Sequence, residues 1–356
     1  MTRAQRKLEH IKYALALGDG PCSTHFNEIR FLHNCLPEIN PADINLSTDF
    51  LGKQLRLPFF IDAITGGTDA VTLINTMIAQ VAAKLGLAMA VGSQYGAVRT
   101  GQGLASYEVI RKYNPDGVVL ANTSALATPQ EAQAAVDMLA ADGLEIHLNA
   151  AQEIFMTEGD KDYSGLLDNI LRLRQAVTVP IIVKETGCGI AAAEYQRLLQ
   201  EGITLINCAG AGGTNFPAIE AGRAQQQLSE DFLNWGQPTA WSLLDGAMTC
   251  PQNITLLASG GLRTAGDVAK AFALGADLVG MSGNILQLLQ ESTAATEKYL
   301  LQLAEDLKIY LALLGCLRVE ELRQVPLIFT GATMDYLHCR GYREESLSQS
   351  RRQRLS

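Results

Sequence analysis

Eight short apolar runs recur along this chain, and most are separated by helical patterns of about 10–15 residues. The runs are PFFIDA (58–63), GLAMAVGS (86–93), GVVLANTS (117–124), LEIHLN (144–149), VPIIVKE (179–185), ITLINCAG (203–210), ITLLASGG (254–261) and ADLVGMS (276–282). A strand that is apolar on both faces is buried on both faces, which is the mark of a parallel sheet whose crossovers are helices. Eight such units favour closure into an α/β TIM (β/α)8 barrel over an open doubly wound sheet.

The stretch from Leu256 to Ser282 carries the most local detail. A short apolar run enters the turn Ser259-Gly260-Gly261-Leu262-Arg263, in which two glycines are free to take positive φ. Thr264 is placed to cap a helix through Asp267, Gly275 to end it, and a buried strand follows from Asp277. In an eightfold barrel, the loops after strands seven and eight and a helix N-terminus beside them form a phosphate site. The turn Ser282-Gly283 supplies the second half of that cradle.

Outside the eight units, residues 1–57 read as an N-terminal arm, 58–315 as the barrel, and 316–356 as a C-terminal extension. The loop after strand six, from Gly210 to Asn253, is too long for a bare crossover, and long loops at this end of a barrel cover a site. Arg3, Arg6, Lys7, His10 and Lys12 form a basic cluster whose plainest reading is a solvated helix face. The terminal CRGYREESLSQSRRQRLS is polar and basic and is expected to be disordered. A net charge of −9 argues against general nucleic-acid binding. The seven cysteines make no CxxC pair, so neither a disulfide framework nor a zinc site is indicated, and Cys188 and Cys208 read as small buried hydrophobes. With no signal-peptide core and no apolar run near 18 residues, the expected location is the cytoplasm, with no membrane partner.

Chemistry in a barrel lies where strands meet the following loops. This chain places there Thr65-Gly66-Gly67, Ser93-Gln94, Asn122-Thr123, His147, Asn149, Gln152-Glu153, Lys184-Glu185, Asn207, Gly212-Gly213-Thr214, Gly260 to Arg263, and Ser282-Gly283. Small residues and amides suit a flat cofactor that needs close backbone approach, and flavin mononucleotide (FMN) fits. Lys184 has three readings: a cation that stabilises charge on a reduced flavin, a Schiff-base amine, or a simple partner of Glu185. Glu153 alone suits Mg²⁺ shared with substrate phosphates, and Gln152 can position a proton carrier.

The assembled segments RKLEHI (6–11), DAITGGT (62–68), VGSQ (91–94), IHLNAAQEIFMTEGDKDYSG (146–165), VPIIVKETGCGI (179–190), INCAGAGGTNF (206–216) and ASGGLRTAGDVAKAFALGADLVGM (258–281) resemble the type 2 isopentenyl-diphosphate delta-isomerase family. The resemblance spans roughly residues 5 to 290 in unbroken order. It implies interconversion of isopentenyl and dimethylallyl diphosphate with reduced FMN and Mg²⁺, NADPH serving only to reduce the flavin. It implies FMN contacts from Ala63, Ile64, Thr65, Ser93, Asn122, Lys184, Thr214, Gly261, Leu262, Arg263, Ser282 and Gly283. Substrate contacts would come from Arg6, Lys7, Ser93, Gln94, Tyr95, His147, Asn149 and Gln152, and the metal ligand would be Glu153. Gln152, Lys184 and His147 are the candidate catalytic residues. The basic cluster thereby acquires a role, with Arg6 and Lys7 closing over the diphosphate. An arm that carries site residues and an acidic surface point to a homo-oligomer, a tetramer or octamer.

Three positions depart from the family pattern: Ile64 for methionine, Phe216 for tryptophan, and Tyr95 for a basic residue, with Arg99 near enough in sequence to compensate. A 2-hydroxyacid oxidase or dehydrogenase on the same barrel needs a His and an Arg near the later strands. The five histidines (10, 25, 33, 147, 338) leave none after strands five to eight. A non-catalytic flavin-binding protein is the remaining alternative.

Overall fold

The computed structural model describes residues 3–251, 253–343 and 347. Eight parallel strands close into a barrel in the order in which they occur: β1 (Phe59–Ile61), β2 (Ala88–Ala90), β3 (Val119–Ser124), β4 (Gly143–Leu148), β5 (Ile181–Glu185), β6 (Leu205–Asn207), β7 (Thr255–Ala258) and β8 (Leu278–Met281). The ring is completed by β8 lying beside β1, with Gly280 opposite Phe60 and Met281 opposite Ile61. A Cβ at Gly280 would sit 2.4 Å from the Phe60 ring, so a glycine is what lets that ring fill the barrel. Period-two alternation divides the strand residues into two cores. Phe60, Ala88, Ala90, Leu120, Ile182, Leu257 and Leu278 pack together, whereas Phe59, Ile61, Met89, Val119, Ile146, Val183, Ile206 and Val279 belong to a second, larger cluster with the helices.

The arm works at both ends of the barrel. An antiparallel hairpin, Thr48–Phe50 with Lys53–Leu55, sends Phe50 and Leu55 into the inner core. At the opposite end, helix α1 (Arg3–Leu17) lies across the mouth. Four helices after the strands matter for the site: α2 (Ala150–Phe155) after β4, α3 (Phe216–Arg223) and α4 (Thr239–Thr249) in the long loop after β6, and α5 (Ala265–Ala273) after β7. Thr264 caps α5 reciprocally with Asp267, as the sequence predicts. Two more, α6 (Gly283–Glu291) and α7 (Thr293–Leu314), follow β8.

The extension beyond residue 315 folds back onto the arm. Leu327–Phe329 pairs antiparallel with Ile29–Phe31, and α8 (Gly331–Cys339) stacks Tyr336 on Trp241 of α4 at a centroid distance of 4.5 Å. Most of the terminal stretch expected to be disordered lies outside the described residues. No described helix is long and apolar enough to cross a membrane.

Candidate active site

The C-terminal ends of the strands open on a cavity of about 360 Å³ roofed by α1. Its floor is a buried polar cluster. Lys184 Nζ on β5 reaches across the barrel to Asp62 Oδ2, just past β1, at 2.8 Å. Both side chains are nearly sealed from solvent, 7% and 4% exposed. The other Asp62 oxygen accepts the Ala63 N–H at 2.7 Å, and Asn207 and Ser259 complete the cluster. Burial alone would depress the Lys184 ammonium, but the Asp62 and Glu145 carboxyls hold it above its usual range. An amine that stays protonated is a fixed cation and a poor Schiff-base former. The Glu185 pairing fails because neighbouring strand residues face opposite sides. Glu185 turns away, accepts the Thr186 N–H at 2.6 Å, and is pushed by burial up to about 7.

Strand register builds the next layer. Asn122 on β3 lies opposite Glu145 on β4, and its Nδ2 donates to Glu145 Oε2 at 2.9 Å. The Asn122 Oδ1 lies 2.8 Å from His147 Nδ1, two residues further along β4. Beyond β4, Asn149 Nδ2 donates to Glu153 Oε1 at 2.8 Å, and the second Glu153 oxygen accepts the Asp160 N–H at 2.9 Å. The carboxylate is thus oriented by neutral donors at the mouth of the cavity. Among the described residues no group of three or more His, Cys, Asp or Glu side chains is placed to hold a metal ion. The donor set at Glu153 therefore fits a hard cation only if bound phosphate and water supply most of its ligands.

The roof is an ion network between helices. Gln152 Nε2 donates to Glu220 Oε1 of α3 at 2.7 Å, and His10 Nε2 of α1 lies 2.9 Å from the same oxygen. Arg223 binds the other Glu220 oxygen and also reaches Glu158 at 2.7 Å and Glu9 at 3.2 Å. Burial opposes ionisation of Glu220, but His10, Gln152 and Arg223 outweigh it and bring its carboxyl below the usual range. Arg6 sits 3.6 Å from Glu158, and Arg6 and Lys7 both line the cavity. The solvated-face reading of that cluster is thus incomplete, since one side of α1 turns inward.

The far end is the glycine cradle. A Cβ at Gly260 would lie 2.0 Å from the Gly210 carbonyl oxygen, and one at Gly261 would lie 2.1 Å from that of Gly212. Both residues have positive φ, 100° and 80°. Only glycine lets the turns after β6 and β7 touch backbone to backbone. The first N–H groups of α6 face the same space, with Thr214, Arg263, Ser282 and Gly283 on its wall. Thr65 Oγ1, just past β1, is buried in the cavity wall with no hydrogen-bond partner. A glycine cradle beside a helix N-terminus, and an orphaned hydroxyl in the same cavity, fit a flavin mononucleotide.

Of the predicted site residues, Arg6, Lys7, Ala63, Ile64, Thr65, Ser93, Tyr95, Asn122, His147, Asn149, Gln152, Glu153, Lys184, Thr214, Gly261, Arg263, Ser282 and Gly283 line this one cavity. Two do not. Gln94 is fully buried, its Nε2 donating to the Ala135 carbonyl at 2.9 Å and its Oε1 accepting the Asn122 N–H at 3.0 Å, so it ties the end of β2 to β3 and to the helix after β3. Leu262 points into the core. Arg99, the residue near enough in sequence to compensate, does not line the cavity: it pairs with Glu131 at 2.6 Å and stacks on the Tyr95 ring. Sequence reasoning passed over Asp62, Glu145, Glu220 and Arg223. The first two carried a readable signal, since a carboxylate inside a doubly apolar strand needs a buried partner.

The fold and cradle define a barrel of the FMN-dependent dehydrogenase class, and the family model of that description matches residues 112–328. Solved structures with the same fold include a flavocytochrome b2 variant with pyruvate bound, 18% identical, TM-score 0.67, covering 94% of this chain and 88% of that one. A mandelate oxidase variant with an FMN adduct is 15% identical, TM-score 0.60, over 90% and 92%. Much nearer in sequence are proteins named isopentenyl-diphosphate delta-isomerase. The one from Geobacillus sp. (strain WCH70) is 42% identical over 96% of this chain and 98% of its own length. The one from Bacillus cereus (strain B4264) is 45% identical over 96% and 97%. The chain belongs to the isopentenyl-diphosphate delta-isomerase family.

Proposed function

We propose that the protein interconverts isopentenyl and dimethylallyl diphosphate, with FMN in its reduced form and Mg²⁺ as cofactors and NADPH as the reductant of the flavin. The observation that carries this reading is the Gln152–Glu220–His10 chain set above a cavity whose floor holds the Lys184–Asp62 pair. An allylic shift moves one proton from one carbon to another, so the site needs groups that hold and hand over a proton out of water. When bound, FMN supplies a flat ring that exchanges protons beside the substrate. Glu220, kept ionised, orients the Gln152 amide so that its carbonyl oxygen faces inward, with His10 beside it from α1. Lys184 stays cationic and balances negative charge on the floor. Arg6 and Lys7 bind the diphosphate from the roof, and Glu153 orients a cation against its oxygens.

The test is an anaerobic assay with isopentenyl diphosphate, Mg²⁺, FMN and NADPH that follows acid-labile dimethylallyl product. Product that forms only when the flavin is reduced supports the reading. An FMN-loaded protein with no product under these conditions overturns it.

A further inference from the structure

We propose that Glu145 is a positioning residue for His147: by gaining or losing a proton it decides, through the Asn122 amide, whether Nε2 of His147 offers a hydrogen to a diphosphate in the cavity. This rests on the reading of the cavity as a diphosphate site.

A primary amide has one end that only donates and one that only accepts. Asn122 Nδ2 donates to Glu145 Oε2 at 2.9 Å, which leaves Oδ1, 2.8 Å from His147 Nδ1, as an acceptor. Nδ1 must then carry the hydrogen, and the Nε2 of a neutral ring presents a lone pair. That lone pair repels a phosphate oxygen.

Protonation of Glu145 reverses this order. Its side chain is fully buried, and Oε1 makes no well-formed hydrogen bond, with only the Asn207 amide near the carboxyl besides that of Asn122. A hydrogen on Oε1 has nothing to donate to, whereas one on Oε2 faces Asn122. With the amide turned over, its Oδ1 accepts from Glu145 Oε2–H and its Nδ2 donates to His147 Nδ1. Nδ1 is then the bare nitrogen, and Nε2–H becomes a donor suited to phosphate. Between the two states the network takes up one proton from solvent: first Glu145 is ionised with the ring hydrogen on Nδ1, then Glu145 is protonated with the ring hydrogen on Nε2. Only an amide rotates.

The surroundings make such a proton available. The charged groups facing Glu145 are Asp62 after β1 and Lys184 on β5, already paired with each other at 2.8 Å, with Asn122 from β3, Asn207 from β6 and His147 on its own strand. Lys184 is committed to Asp62, so an ionised Glu145 has no counter-ion of its own. Burial, with the Asp62 charge behind it, pushes the Glu145 carboxyl up to about 8. The arrangement in the structure is therefore the alkaline one, and the diphosphate-ready one forms at lower pH.

The five histidines make the test practicable. Full-length protein labelled with ¹⁵N-histidine is followed by nitrogen–proton correlation from about pH 6 to 9.5, with and without inorganic pyrophosphate, His147 being assigned by loss of its signals in His147→Gln. The expected result is an Nδ1–H ring at the alkaline end giving way to Nε2–H on acidification, with pyrophosphate extending the Nε2–H form upward by about one pH unit, a roughly tenfold coupling. Calorimetry in two buffers near pH 9 should find about 0.4 of a proton taken up per pyrophosphate. In Glu145→Gln the tautomer should no longer depend on pH, an outcome a purely structural carboxyl would not give. Should that variant fail to fold, Asn122→Ala serves, leaving a ring that titrates without reference to Glu145. A His147 ring that keeps one tautomer throughout, or becomes doubly protonated on binding, or titrates identically in Glu145→Gln, overturns the proposal. A pH-driven tautomer change with no pyrophosphate binding would sustain the relay and overturn the diphosphate reading instead.

Discussion

The floor and the roof of the cavity are both ion networks, built by different means. The floor sets Asp62, Glu145 and Lys184 on or just past barrel strands, where register and closure fix their spacing, and all three are buried. The roof sets His10, Glu220, Arg223 and Glu158 on or beside helices that meet by side-chain contact, and its outer member, Glu158, is 43% exposed. A floor of this kind is rigid and depends on its charge balance, because a buried charge without its partner is costly. The roof rests on the arm helix α1, and its outer pairs are screened by water.

The largest effect should come from breaking the floor. Asp62→Asn leaves the Lys184 ammonium without its paired carboxylate, and a loss of about 3–5 kcal/mol in urea unfolding is expected. The loss should shrink as pH rises, because without the Asp62 charge Glu145 ionises more readily than in the wild type and stands in as counter-ion. A loss under about 1 kcal/mol near pH 6 would contradict the account of the floor.

Next comes the inner part of the roof. Glu220→Gln removes the charge that orients Gln152, and turnover should fall at least about 100-fold, equivalent to about 2.7 kcal/mol, while the folded structure by circular dichroism is kept. An unchanged rate would make the Gln152–Glu220 contact merely structural.

The third effect tests the floor by pH. The Glu145 carboxyl is raised in the folded state to about 8, so the folded protein holds this proton more tightly than the unfolded chain does. Its contribution to stability is fully present below the unfolded value and is lost as pH rises through about 8. Glu145→Gln, neutral throughout, should therefore gain on wild type between about pH 5 and pH 9 in thermal melts, by up to about 4 kcal/mol, since each tenfold difference in proton affinity between folded and unfolded chain is worth at most about 1.4 kcal/mol. A difference that is flat with pH would contradict the raised value.

The smallest effect lies at the edge of the roof. Glu158→Gln breaks the exposed pairs with Arg223 and Arg6, and stability should change by less than about 1 kcal/mol, diminishing with added salt.

This contrast also separates what could be read from the sequence from what could not. The eight strands were legible because runs apolar on both faces, such as IIVKE and LVGM, have one physical explanation. The cradle was legible because Gly260 and Gly261 follow a strand and precede a capped helix. The partner of Lys184 was not, because β1 and β5 face each other across the barrel and nothing local relates residues 62 and 184. The pairing of Ile29–Phe31 with Leu327–Phe329 was hidden in the same way, by three-residue strands with the barrel between them in the chain. Gln94 misled because an amide at a strand end looks the same whether it faces a ligand or braces the next strand. The roof was half visible: the charges on α1 could be counted, but which side turned inward depended on where α3 lay.

The central claim is that this cavity moves a proton along an allylic diphosphate. The most direct measurement is to incubate FMN-loaded, anaerobically reduced protein with isopentenyl diphosphate and Mg²⁺ in deuterium oxide and follow the carbon-bound hydrogens by NMR. The account predicts deuterium in the dimethylallyl product and in recovered substrate, with both signals falling together in Gln152→Leu. Protein that holds reduced FMN and binds the diphosphate, yet leaves every carbon-bound hydrogen unexchanged, would contradict it.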